Sequence, residues 1–312
     1  TPLSIDRRQR QMCIRDRSMS LQFESIQIER QREYYEFLDA CPEKTSDGTL
    51  LNLWGWADAY GLEWAWTPEL VWIRQTRPAE TYWAPVGDWT RVDWGETLRL
   101  HFSGTMMFGR VPEALLQLWQ QTPGLDCDAQ ISRGHWDYLY SVRDLVELKG
   151  KKYHKKKNLL NQFSKGYDYQ YLPLTQDNIH QTIQMQENWC TWRDCASQAA
   201  LDSENQAISR VLDNWRKFQR LTGGALMVEK DMVAYTMVEK LSADTLVIHF
   251  EKGDHAFKGV YQAINQMFLQ NSGQGFSIVN REQDLDSEGL RKAKMSYNPV
   301  GFLKKFHVTC HC

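Results

Sequence analysis

No stretch of the chain approaches 18 consecutive apolar residues, so no membrane-spanning helix is expected. Cysteine is sparse: seven in 312 residues, at positions 13, 41, 127, 190, 195, 310 and 312, with no repeating interval. That excludes a small disulfide-built scaffold, and without an apolar secretory h-region reduced thiols are the default. Cys310-His311-Cys312 has no second pair at zinc-finger spacing, so no metal site is expected. No Ser/His/Asp or Cys/His arrangement stands out, which argues against a covalent acyl-enzyme. Lysine is nearly missing from one part of the chain, where residues 19–148 hold Lys44 alone.

What is present is globular: 42% hydrophobic and 24% charged residues, in a length that suits two domains. Residues 1–18 carry five Arg, two Asp and no aromatic residue, and read as non-native sequence or a disordered basic tail, with Met19 as the expected start. Beyond them the composition divides. Residues 19–148 hold one Lys and nine Arg against twenty Asp and Glu, a net of −10. Residues 149–312 hold sixteen Lys and six Arg against seventeen Asp and Glu, a net of +5. Ten of the thirteen Trp precede residue 149. Two domains, 19–148 and 149–312, are therefore expected to pack by charge attraction, with the basic one better suited to an anionic partner. The ten Trp of the first part could line a ligand groove, but more of them are expected in core and edge packing.

Local patterns in the first part mix α and β. Helices are expected over 30–38, over 50–60, and from Pro112 to Gln120, with strands over 70–73 and 138–142. In the second part, helices over 176–189 and 204–221, a hairpin of 225–229 and 232–239 around Lys230-Asp231, and a strand over 245–250 are expected. A turn over 251–255, a helix over 257–269 and a strand over 276–279 follow. Helix, helix, hairpin, strand, helix, strand is the order of an acyltransferase domain of the GNAT kind.

Three motifs go further: LKGKKYHKKKNLLNQF at 148–163, HFEKGD at 249–254, and NREQDLDSEGLRKAKMSYNP at 280–299. Together they resemble the signature of a bacterial family similar to the C-terminal domain of phosphatidylglycerol lysyltransferase, with likeness from about residue 37 to 306. The resemblance implies an α/β, tandem GNAT-like fold with one such unit in each half. It also implies an aminoacyl transferase that draws on charged tRNA, with an anionic lipid headgroup as one acceptor. An acyl-CoA donor is the alternative, and a non-catalytic module binding nucleic acid or anionic lipid is a third. Acyl-CoA enzymes cradle pyrophosphate on a glycine-rich loop at a helix N-terminus. The matching stretch here, 251–259, keeps Gly253 and Gly259 at the wrong spacing and adds Glu251 and Asp254. No cofactor is expected beyond the aminoacyl-tRNA co-substrate. The expected location is cytoplasmic, with peripheral membrane contact through the basic face.

If 151–163 is one helix, Lys151, Lys155, Asn158 and Gln162 share its polar face, while Lys152 and Lys156 fall in the apolar arc and could project into a cleft. Lys151, Lys152, Lys155, Lys156 and Asn158 are thus donor-binding candidates; a solvated basic helix is the plainer alternative. Arg281 and Glu282 should lie just past a strand end, where α/β sheets bind ligands. Arg281 could grip a carboxylate or phosphate, and Glu282 could hold an α-amino group or act as a base. Arg291 and Lys294 are further anion-binding candidates, with helix ion pairs from Glu288 as the structural alternative. Strand alternation puts His249 and Glu251 on one face, with Glu239 nearby and Glu251 as candidate base. A lone strand histidine is more often core.

Overall fold

The computed structural model describes residues 20–311. The expectations for residues 1–18, the start at Met19, and the role of Cys312 lie outside the described residues. Fourteen strands are described. In chain order they are β1 (Glu24–Ser25), β2 (Leu62–Trp66), β3 (Leu70–Gln75), β4 (Thr81–Gly87), β5 (Thr105–Pro112), β6 (Asp126–Ile131) and β7 (Asp137–Ser141). Then come β8 (Tyr169–Pro173), β9 (Leu221–Val228), β10 (Asp231–Lys240), β11 (Thr245–Gly253), β12 (Ile278–Asn280), β13 (Gly301–Leu303) and β14 (Lys305–His311). They form two seven-stranded mixed sheets, ordered β1-β2-β3-β4-β5-β14-β6 and β13-β7-β12-β11-β10-β9-β8. This is the expected α/β, tandem GNAT-like architecture.

The two sheets do not divide the chain where its composition changes. The strand β7, which composition assigned to the first half, sits between β12 and β13. In return β14, from the second half, sits between β5 and β6. Each half gives its last strand to the other's sheet. Each sheet also has one parallel pair that is briefly bonded and then parts. β4 and β5 pair at Tyr82↔Phe108 and Trp83↔Gly109. β11 and β12 pair from Thr245↔Ile278 to Val247↔Asn280. Beyond these registers the strands diverge and leave a fork, the position where open α/β sheets take ligands.

A buried ion cluster pins the exchange. Lys305, the first residue of β14, donates to Asp137 Oδ1, the first residue of β7, at 2.6 Å, and also to Asp47. Neither the Lys305 nor the Asp137 side chain has any exposed surface. Asp137 further accepts from Ser46 N–H and Oγ, both at 2.8 Å, and from Asn280 Nδ2 at 2.8 Å. Burial works against a charged Asp47, but Lys305 and Arg110 outweigh it and hold its carboxyl down to about 2.

Several local expectations are revised. The helix expected over 204–221 runs Ala199–Asp213, and Leu221–Val228 is a strand. Gly223 and Gly224 therefore lie inside β9 rather than ending a helix. A Cβ on Gly223 would stand 2.5 Å from the Thr236 carbonyl, so close packing in the sheet explains the pair. The turn expected over 251–255 begins later, because β11 continues to Gly253. The segment 151–163 is a 3-10 turn, Lys151–Tyr153, followed by the helix His154–Gly166. The thiols are not all reduced: Cys127 is joined to Cys310 across β6 and β14, and Cys190 to Cys195. Sheet pairing places Cys310 directly opposite Cys127, which no sequence interval reveals. Trp64, Trp72 and Trp119 are fully buried, as packing residues should be. Among the described residues no helix is long and apolar enough to cross a membrane.

Because Lys305 neutralises two buried carboxylates, Lys305→Met should cost about 3–5 kcal/mol, the penalty of leaving a buried charge unpaired. Denaturant unfolding measures this, and a loss under about 1 kcal/mol would contradict the pinning role.

Candidate functional site

The fork of the second sheet opens into a cavity of about 860 Å³ between the two halves. β11 lends it His249, Glu251 and Lys252, and the loop after β12 lends Arg281 and Glu282. The first half lends Asp47, Asn52, Trp56, Tyr60, Trp83 and Arg110. Lys156, Lys294 and Tyr297 close another side.

Glu282 is the centre of the arrangement. Its backbone is left-handed, at φ 57°, an uncommon conformation for a residue with a Cβ. Asn280 Oδ1 holds it there by accepting the Glu282 N–H at 2.8 Å. Its Oε1 accepts from Asn52 Nδ2 at 2.7 Å and from His249 Nδ1 at 2.8 Å. Oε2 has no hydrogen-bond partner among the described residues. The His249 side chain is fully buried, and its Nε2 stands 3.4 Å from Glu239 Oε2, an ion-pair distance with poor hydrogen-bond alignment. Burial disfavours the imidazolium, yet the carboxylates of Glu239 and Glu282, the second of them hydrogen-bonded, prevail and raise it to about 9. His249 is thus a charged link between two glutamates, not a neutral core residue.

Arg281 and Glu251 pair at 2.6 Å, and Glu251's other oxygen accepts from Asn265 Nδ2 at 3.0 Å. Both Glu251 oxygens are occupied, so its geometry suits holding the guanidinium rather than taking a proton. Arg281 leaves Nη1 buried and without a partner. Its guanidinium lies 4.7 Å from the Tyr297 ring centre, and the Lys156 ammonium lies 4.1 Å from the same ring. Burial, and then Arg281, lower the Lys156 amine. Lys294 as a residue is half-buried, but its ammonium turns inward to donate to the Arg281 carbonyl. Burial, then Arg281, push that amine down to about 8. Among the described residues neither lysine meets a carboxylate within ion-pair distance. Nor is any group of His, Cys, Asp and Glu there arranged to hold a metal ion.

The other candidates lie elsewhere. Lys151, Lys155 and Asn158 are exposed and outside the cavity lining. Lys152 does not enter the cleft, because the 3-10 turn points it to Asp144 at 3.3 Å. Arg291 pairs with Asp284 at 2.8 Å and Asp286 at 2.7 Å, not with Glu288. Asp284 has no exposed side-chain surface; burial opposes its charge, but Arg291 and Tyr138 hold its carboxyl at about 2. Arg291 thus braces the 280–286 loop. The residues that sequence reasoning missed are those of the first half, above all Asn52 and Arg110. Their separation from the 281–294 motif left no signal in local spacing.

With this geometry in view, the chain's relatives can be placed. Residues 39–309 match the family described as phosphatidylglycerol lysyltransferase, C-terminal. The chain belongs to that family of transferases. It is similar to a conserved Bacteroides thetaiotaomicron protein of unknown function, at TM-score 0.82 and 28% identity over 94% of this chain and 100% of that one. It shares its fold with L-PGS from Bacillus licheniformis, at TM-score 0.60 and 12% identity, with 92% of each chain covered. An uncharacterized Mycoplasmoides gallisepticum protein is 25% identical over 180 residues, or 56% of this chain, and the chain spans 56% of that protein's length.

His249 binds its proton more tightly folded than unfolded. Its contribution is therefore complete below the ordinary value of 6.5 and is lost as pH rises through about 9. The stability advantage of the wild type over His249→Gln should shrink by about 3 kcal/mol between pH 6 and 9.5, measured by denaturant midpoints. A difference independent of pH would contradict the charged link.

Proposed function

We propose that the protein transfers an aminoacyl group from aminoacyl-tRNA to an amine or hydroxyl acceptor held in the inter-half cavity. One observation carries this reading. A glutamate with a free oxygen stands beside a buried arginine with an unused N–H and two amines that meet no carboxylate. An aminoacyl ester has an electrophilic carbonyl, a free α-amino group and a neighbouring phosphate, and those groups suit it.

The steps need no covalent enzyme intermediate. The acceptor nitrogen or oxygen attacks the ester carbonyl carbon while Glu282 Oε2 takes its proton. Arg281 Nη1 and the Lys156 ammonium face the oxyanion as it forms. The bond from carbonyl carbon to ribose oxygen then breaks, and Lys294, near 8, supplies the proton the ribose oxygen needs. His249 fixes Glu282 Oε1 by donating to it, and Glu251 keeps Arg281 aimed. An anionic lipid headgroup such as phosphatidylglycerol, with its free hydroxyls, is one acceptor of the right chemistry.

The acyl-CoA alternative finds little room. Gly259, at φ 86°, lies against the basic helix, where a Cβ would stand 2.0 Å from the Leu159 carbonyl. The Lys258 N–H is taken by Tyr167 Oη at 3.2 Å and the Ala256 N–H by Asp254 Oδ1 at 2.9 Å. Two backbone donors of the kind a pyrophosphate needs are already bonded.

The test follows label from charged tRNAs into lipid or amine acceptors, using residues 19–312. Glu282→Gln and Lys294→Met should each lower kcat/KM by about 100- to 1,000-fold, while Lys155→Ala should change it less than about threefold. Label that stays on tRNA with every acceptor, while an acyl-CoA is consumed, would overturn the reading.

A further inference from the structure

The chemistry above uses the second half's side of the cavity. The first half's share is different in kind: three of its six lining residues are aromatic. Trp56 and Tyr60, four apart at a helical turn, lie 5.8 Å centre to centre, and Tyr60 meets the edge of Trp83 at 6.1 Å. Trp56 and Tyr60 are half-buried, so part of each ring faces the open volume. The Arg110 guanidinium lies 4.1 Å from the Trp83 ring centre and 5.6 Å from that of Tyr60. Asp47 Oδ1 fixes it at 2.6 Å.

Arg110 also has a left-handed backbone, at φ 58°, one residue past the last parallel pair of β4 and β5. Glu282, equally left-handed, is two residues past the last pair of β11 and β12. A left-handed backbone at a residue with a Cβ is strained, and such strain collects where side chains must be aimed at a ligand. The two forks thus turn one strained residue each into the same cavity. The first fork itself is filled, since Cys41, Glu43, Thr45 and Asp47 leave a void of only about 20 Å³ there.

We propose that Trp56 and Tyr60, backed by the buried Trp83 and joined by Arg110, form a stacking subsite for the nucleobase at the 3′ end of the donor; this rests on the aminoacyl-tRNA reading. A cationic side chain does not fit here, because Arg110 already supplies the positive charge and Asp47 is saturated by Arg110 and Lys305. An aliphatic lipid chain would cover the polar edges of Arg110, Asn52 and Gln283 without bonding them, which is costly. A base is planar, neutral and polar-edged. It stacks on aromatic faces and under guanidinium with little regard to sequence. Lys156 and Lys294 then stand across the cavity for the ester and its adjoining phosphate.

The test uses 3′-aminoacylamino-3′-deoxyadenosine, a stable amide analogue of the donor end, and the same aminoacyl amide on an abasic ribose. Binding is measured by calorimetry on the full chain, and urea midpoints confirm folding. The wild type should bind the adenosine compound about 5- to 100-fold more tightly than the abasic one. Trp56→Ala and Tyr60→Ala should erase that preference and leave the abasic affinity unchanged, while Trp56→Phe should retain it. Equal affinity for the two compounds, or equal losses for both in Trp56→Ala, would overturn the subsite. If the wild type still moves label from charged tRNA in either case, only the subsite falls. If it neither moves label nor binds either compound, the donor reading falls with it.

Discussion

A lysine with no exposed surface, held by two carboxylates where the halves trade strands, is the interaction on which the rest of the structure depends. Lys305 opens one exchanged strand and Asp137 opens the other, so one ion pair fixes where both strands cross over. A buried pair of this kind is a poor source of net stability, but it penalises every arrangement that separates its members. Here it specifies which strand joins which sheet. The acidic composition of the first half and the basic composition of the second then meet in outlying pairs such as Asp39 with Arg220 and Asp58 with Arg210.

The same cluster reaches the site. Asp137 accepts from Asn280, and Asn280 in turn holds the Glu282 backbone in its left-handed turn. Asp47 accepts from Lys305 and from Arg110. The pinned exchange therefore aims a glutamate from one fork and an arginine from the other into one cavity. Most charges lining that cavity are already paired: Glu251 with Arg281, Glu204 with Lys252, Asp47 with Arg110, and Asp284 with Arg291 just outside it. What stays unpaired is one oxygen of Glu282 and one N–H of Arg281, while Lys156 and Lys294 meet no carboxylate among the described residues. Those groups are the ones the proposed reading assigns to the aminoacyl ester.

Much of this was legible in the chain itself. The hairpin around Lys230-Asp231 and the strand from Thr245 follow from β-branched alternation, which tertiary packing did not override. Glu282, Arg281 and Lys156 were legible as cavity residues because a strand end and a helix arc are local properties, while Lys294 was marked only by the motif that carries the resemblance. Helical phase alone was not enough for Lys152, since a 3-10 turn at 151–153 changes the angle between successive residues. Lys151, Lys155 and Asn158 lie outside the cavity because they are on the polar face of an amphipathic helix, which faces water. The strand exchange was invisible. Composition is set by which surface a segment shows, and β7 and β14 are short strands whose sheet partners are far away in sequence. Arg110 could not be found for the same reason, the Trp residues could be suspected of lining a groove but not singled out, and the Cys127–Cys310 bond exists only because β14 crosses over.

Whether the cavity between the exchanged halves takes the charged end of tRNA is decided by a crystal structure with the stable aminoacyl-adenosine amide bound. The aminoacyl carbonyl should lie beside Arg281, with the α-amino group or the incoming acceptor within hydrogen-bond distance of Glu282 Oε2 and the ribose oxygen near Lys294. A ligand seated instead along the Gly253 to Gly259 loop, or on the exposed face of the basic helix with the cavity unchanged, would contradict that placement and the chemistry built on it.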